Sequence, residues 1–202
     1  MTMTAQRPAS GFEAARRAMI DSQLRTSGVN EPWILAAFAR VPREDFVPVA
    51  ARDAAYIDRA IALGGGRMLA APLVHGRMIS AAEPRESDTA LLVGDGEGYL
   101  AALLRPLVGS LDAVAPGDAA SLRKTGAYSL IVIDGAIEEL PASLTASLAE
   151  AGRLVTGQVE RGITRLACGR KCGDTTALAP LAEIGIPQLA EFAAKKRWSF
   201  EG

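Results

Sequence analysis

At 202 residues, with 49% hydrophobic and 22% charged side chains and a formal net charge of −1, the chain has an ordinary globular composition with room for one sizeable core. The near-zero charge supplies no basic field for nucleic acid, and aromatic residues at 5% leave few faces for stacking bases. No apolar run reaches the ~18 residues of a membrane span, and the polar start MTMTAQRPASG lacks the apolar middle of a signal peptide. Residues 1–10 are expected to be a disordered lead-in, and the location to be cytoplasmic.

Ser10, followed three residues later by Glu13, is the reciprocal capping pattern of a helix start. Phe12, Ala15, Met19, Ile20 and Leu24 then recur on one helical face until Gly28 stops it. Pro32 suits the first turn of a second helix, PWILAAFARV, which Pro42 ends. VPREDFVPVAARDAAY reads as an extended connection with short turns and GGGRMLAAP as a loop. PLVHGRMISAAEP is predicted as a helix between Pro72 and Pro84, making residues 11–85 mainly helical.

From Thr89 the pattern changes to short apolar runs alternating with helical ones. TALLV is a strand, GDGEG a turn and YLAALLRPLVG a helix; LDAVA is a strand, DAASLRKTG a short helix and YSLIVID a strand. PASLTASLAEAG reads as a further helix and GRLVTGQVE as the strand after it. Apolar strands alternating with helices predict a parallel α/β sheet. ITRLACGRK, a Gly-Asp turn and TTALAPL predict an antiparallel hairpin, hence a mixed C-terminal edge. LAEFAAKKRWSFEG, with Trp198, reads as a helix and a short apolar end. Residues 11–202 are expected to form a single domain, with 86–202 its Rossmann-like part.

Cys168 and Cys172, with the lone His75 far away in sequence, cannot supply a four-ligand zinc site, so no metal is expected. The stretch LLVGDGEGYLAALL is the strongest candidate site. Gly94, Gly96 and Gly98 permit close backbone approach and positive φ, and the helix start behind them suits a carboxylate. Asp95 and Glu97 leave two readings. Aimed at such a ligand, each repels it by roughly 1 kcal/mol; turned outward, they satisfy the helix start themselves.

MIDSQLRTSGV (19–29), LAAFARVPREDFVP (35–48) and AYID (55–58) resemble the N-terminal signature of protein-L-isoaspartate O-methyltransferases, a likeness extending over about residues 16–157. The resemblance implies a doubly wound, Rossmann-like methyltransferase sheet with extra N-terminal helices. It also implies methyl transfer from S-adenosyl-L-methionine (SAM) to the free α-carboxylate of isoaspartyl residues in damaged proteins, the first step of their repair. It assigns Gly94, Asp95, Gly96, Gly98 and Tyr99 to the SAM loop.

Four departures accompany the resemblance. Leu92 stands where such relatives carry an acid two positions before the first glycine, and it reads as strand core. Ala115 stands where an acid would take the ribose hydroxyls; Asp112 lies three residues too early, and Asp118, three too late, reads better as a helix cap. The dozen or so residues between LDAVA and YSLIVID fit one short helix, so the sheet is expected to lack one strand and the adenine pocket one wall. Ala70, in Met68–Pro72, takes the place of the family serine near the reacting carboxylate, and Ser80 is too far along the next helix to substitute.

Each lost charged or ribose hydrogen bond weakens binding by about 1.5–3 kcal/mol, so two amount to roughly 10²–10⁴ in affinity. The leading expectation is therefore a family member with a degraded SAM site, weakly active or a pseudoenzyme, whose old cleft takes another protein or ligand. The alternative is a working SAM-dependent methyltransferase of isoaspartyl proteins or peptides with a rebuilt site. For a small-molecule ligand, Arg67 and Asp134 would line the cleft, though a solvated arginine and an acid near a helix start are their simpler readings.

Overall fold

The N-terminal helix stripe has a defined end. In the computed structural model, which describes residues 11–194, α1 (Gly11–Met19) continues as a π-helical turn over Ile20–Leu24 and a 3-10 turn over Arg25–Ser27. Gly28 ends the run in the left-handed conformation at φ 86°, its N–H donating to the Arg25 carbonyl and that of Val29 to the Leu24 carbonyl. α2 (Pro32–Arg40) starts on its proline, and α3 (Pro72–Ala82) fills the helix expected between two prolines. Of the helix expected from Leu189 onward, the described part is a single 3-10 turn, Ala190–Phe192; the Ser10 cap, the lead-in and residues 195–202 with Trp198 lie outside the described residues.

Between α2 and α3 the chain makes 3-10 turns at Arg43–Phe46 and Val49–Ala54. A hairpin of β1 (Ile61–Gly64) and β2 (Arg67–Leu69) follows, where a plain loop was expected. Its turn runs through Gly64, Gly65 and Gly66 at φ 89°, 60° and 78°, which is why the glycine run conceals two short strands.

The main sheet has the order β4-β3-β5-β6-β7-β8. Its strands are β3 (Thr89–Val93), β4 (Ser110–Val114), β5 (Tyr128–Ile137), β6 (Leu148–Glu160), β7 (Ile163–Cys172) and β8 (Thr175–Glu183). The first four are parallel, and β7 and β8 add antiparallel, giving the mixed edge expected from sequence. Between β4 and β5 stands a single 3-10 helix, Pro116–Ser121, so β4 is the edge strand and the sheet is one strand short, as the spacing implied. Asp118 falls inside that turn, while Ala115 holds the capping position.

One expected helix is cut in half. α5 is six residues, Ala142–Ser147, and β6 begins at Leu148, which pairs with Tyr128. Pairing with β5 outweighs the helical preference of the Leu-Ala-Glu-Ala run. No helix among the described residues is long and apolar enough to cross a membrane.

Side chains alternate across the sheet, so each strand serves two cores. Ala90, Leu92, Leu130, Val132 and Val155 pack under α1–α3 with Met19, Leu24, Phe38 and Met78. Leu91, Val93, Ile131, Ile133 and Leu154 face the other way, onto Ala119, Leu144 and Phe192. Asp134 follows Leu130 and Val132 in this alternation and so rises on the α3 side.

Candidate active site

β4 and β5 lie on opposite sides of β3, which places a topological switch point at the carboxyl ends of β3 and β5, where open α/β sheets bind ligands. Beside it, at the carboxyl ends of β3 and β4, opens a cleft of ≈ 380 Å³, walled by Arg67, by Gly94, Asp95 and Gly96, and by residues 113–116. Of the five loop residues singled out from sequence, Gly94, Asp95 and Gly96 reach this wall; Gly98 and Tyr99 stand behind it.

The loop glycines answer to crowding, and none of the three adopts positive φ. A Cβ on Gly96 would come within 2.9 Å of the Ala113 Cβ, and one on Gly94 within 3.0 Å of the Asp134 Cβ. Both carboxylate oxygens of Asp95 are engaged within the protein. One carboxylate oxygen accepts the Glu97 N–H at 3.0 Å, the other meets Arg67 at 3.2 Å, and its carbonyl accepts the Gly98 N–H. Glu97 is exposed. Asp95 therefore stabilises its own turn, the second of the two readings left open by sequence.

Tyr99, first residue of α4 (Tyr99–Leu104), is 1% exposed and packs edge-on against Phe46 and Phe38, its ring centroid 5.7 Å from that of His75. Its hydroxyl is buried without a partner, and burial pushes its ionisation well above the ordinary tyrosine value. The Arg43 guanidinium lies 4.9 Å over the same ring. Fully buried, Arg43 donates Nε–H to the Ala55 carbonyl at 2.7 Å and Nη2–H to the Ala70 carbonyl at 2.6 Å. Burial lowers its pKa to about 10, which still leaves it charged at neutral pH. The arginine of VPRE thus clamps the segment that lacks the expected serine.

Ser80 is engaged elsewhere, donating to Glu31 at 2.5 Å. His75 is completely buried on α3 and places Nε2 3.0 Å from Asp134 Oδ1, while its Nδ1 has no partner. Sequence reasoning missed this pair and the Arg43 clamp. The available signals were a lone histidine three residues after Pro72 and an acid closing an apolar strand, but 59 positions separate the partners.

Where acids were missing in sequence, the geometry offers none. Leu92 is fully buried core, and Ala115 presents a methyl group to the cleft. Asp112 binds Lys124 and the Tyr128 hydroxyl, each at 2.7 Å, and these two donors hold its carboxyl below the usual range. Asp118 is exposed on its 3-10 turn. Among the described residues, no cluster of three or more His, Cys, Asp or Glu side chains could hold a metal ion.

The family profile described as Protein-L-isoaspartate(D-aspartate) O-methyltransferase matches residues 14–121. The chain belongs to this family. A protein-L-isoaspartate O-methyltransferase of Rhodopseudomonas palustris is 33% identical over 172 residues, covering 73% of this chain and 70% of its own. One from Roseiflexus castenholzii is 32% identical over 198 residues, covering 86% and 90%. A crystal structure from Plasmodium falciparum, assigned to the same activity and in complex with S-adenosyl-L-homocysteine, superposes with a TM-score of 0.69. It is 16% identical and covers 91% of this chain and 100% of its own. At that identity the superposition shows the fold, a Rossmann-like methyltransferase sheet.

Proposed function

We propose that this chain is a SAM-dependent carboxyl O-methyltransferase of isoaspartyl residues in proteins or peptides, working with a weakened grip on its cofactor. The observation that carries this reading is a glycine-loop cleft beside the switch point of a chain about one-third identical, over most of its length, to relatives bearing that name. It reverses the order suggested by sequence alone, where the non-catalytic reading led.

The cleft fits the cofactor in part. Backbone at Gly94–Gly96 is close-packed and free of side-chain bulk at the wall, which suits close approach of a ligand. The Ala115 methyl gives ribose hydroxyls nothing to bond. SAM, when bound, supplies an electrophilic methyl group. A carboxylate nucleophile is already ionised at neutral pH and needs no base, so the protein's work is positioning. Arg43 holds Ala70 in place through its carbonyl, and Asp95 keeps the loop turn closed.

Calorimetric titration with S-adenosyl-L-homocysteine, followed by an assay for methyl-ester formation on an isoaspartyl peptide, tests the proposal. Binding in the micromolar range with turnover supports it. Absence of heat at millimolar ligand favours the second reading, a non-catalytic member whose cleft serves another protein. The buried Leu92, the Ala115 wall, the absent hydroxyl at Ala70 and the edge position of β4 speak for that reading.

A further inference from the structure

Leu92, standing where the resemblance places an acid, leaves the cationic part of the cofactor, its α-amino group, without an obvious partner on β3. One carboxylate does stand at the switch point. Asp134 lies within β5, one residue past Ile133, the last to pair with β3; it stands beside Gly94, and its side chain is 19% exposed. A Cβ on Gly94 would approach the Asp134 Cβ to 3.0 Å, so glycine at this position is what lets the loop lie against the acid. Gly94 in turn lines the cleft, and Asp134 stands next to it rather than among the walling residues.

Asp134 is held from behind. His75, fully buried, meets Oδ1 at 3.0 Å through Nε2, whose N–H faces an acceptor, while Nδ1 has no partner among the described residues. The second oxygen, Oδ2, has no protein donor among the described residues, although the carboxylate is not sealed from solvent. Arg43 lies within electrostatic reach, but its Nε and Nη2 go to the Ala55 and Ala70 carbonyls and it forms no ion pair with Asp134. The other carboxylate at the loop, Asp95, already serves the Glu97 N–H and Arg67.

We infer that Asp134, oriented by His75, is the acid that binds the α-amino group of the cofactor, in place of the acid absent from β3. The inference rests on the SAM reading above. His75 is a positioning residue: it fixes the carboxylate and leaves one oxygen for the ligand.

The test compares two ligands by calorimetry: S-adenosyl-L-homocysteine and its analogue with hydrogen in place of the α-amino group. Wild-type protein should prefer the amino ligand by roughly 10–100-fold, the size of a charge-assisted hydrogen bond. Asp134→Asn keeps an oxygen for His75 and removes the charge, and should bind both ligands within about threefold of each other. His75→Leu should reduce the preference part way, a change that loss of packing alone would not produce. Thermal unfolding certifies each variant as folded, and Asp134→Ser replaces the amide should that fold poorly. Equal binding of the two ligands by wild type overturns the inference, as does a preference that survives in Asp134→Asn. If wild type binds neither ligand, the methyltransferase reading falls as well, which separates the two failures.

Discussion

Ala115 is where a single side chain most directly limits the proposed chemistry. Its methyl faces the cleft, and its backbone sits at φ −63° and ψ 147°, a conformation any residue adopts. Ala115→Asp should therefore fold normally and tighten S-adenosyl-L-homocysteine binding by about 10-fold or more, the size of one regained charged hydrogen bond, as read by calorimetry. Gly96 makes the opposite case. An added methyl meets the Ala113 Cβ at 2.9 Å, so Gly96→Ala should lower the melting temperature by roughly 2–10 °C, and Ala113→Gly in the same chain should restore most of it. Leu92 and Ala115 could be placed from sequence because each is counted from a nearby glycine along one strand. Tyr99 could not: a helix turns each successive side chain by about 100°, and one step past the loop this one points into the aromatic core. The His75–Asp134 pair was invisible for a different reason, because only the packing of α3 on β5 brings the two together.

At the scale of elements, the junction between α2 and α3 is electrostatic as well as apolar. Glu31, preceding α2, accepts the Ser80 hydroxyl of α3 and the Asn30 N–H. Burial alone would raise its pKa, but the Ser80 hydroxyl and the backbone N–H groups outweigh it and leave the carboxyl below the usual glutamate range. A carboxyl depressed in the folded state stabilises fully above its unfolded pKa, and that contribution fades as the pH falls through the folded one. Ser80→Ala should thus cost about 1–2 kcal/mol at pH 7 in urea unfolding, and the difference should shrink as the pH falls below the unfolded glutamate value of about 4.3. The helices were legible because prolines and Gly28 punctuate them. The β1–β2 hairpin was hidden by its glycines, and β6 by helix-forming residues at its start. In both cases strand pairing, which no local window contains, decides the outcome.

On the scale of the molecule, the N-terminal helices and the sheet share one hydrophobic core, joining Met19, Leu24 and Phe38 to Leu92, Val132 and Val155. Arg153 of β6 adds a polar tie, donating to the Ala82 carbonyl at the end of α3 at 3.1 Å and meeting Asp88 at 2.5 Å. The two parts should therefore unfold together. With Trp198→Phe leaving Trp33 as the fluorescent probe of α2, its urea midpoint should coincide with that of far-UV circular dichroism; two separate midpoints would mean two folding units. The parallel sheet, its missing strand and its mixed edge were readable from strand–helix alternation, the short gap before β5 and the C-terminal hairpin, whereas the order of the strands is set by packing that no local window contains. That short gap also has a consequence for how copies of this protein meet. With nothing among the described residues paired beyond β4, a row of backbone donors and acceptors is left open, the kind of border on which a neighbouring chain can template itself. The strand is five residues long and carries Asp112, whose carboxylate is tied to the Lys124 ammonium, so charge guards an otherwise adhesive rim. At the open border of the shortened sheet stands the very acid that sits too early to hold a ribose.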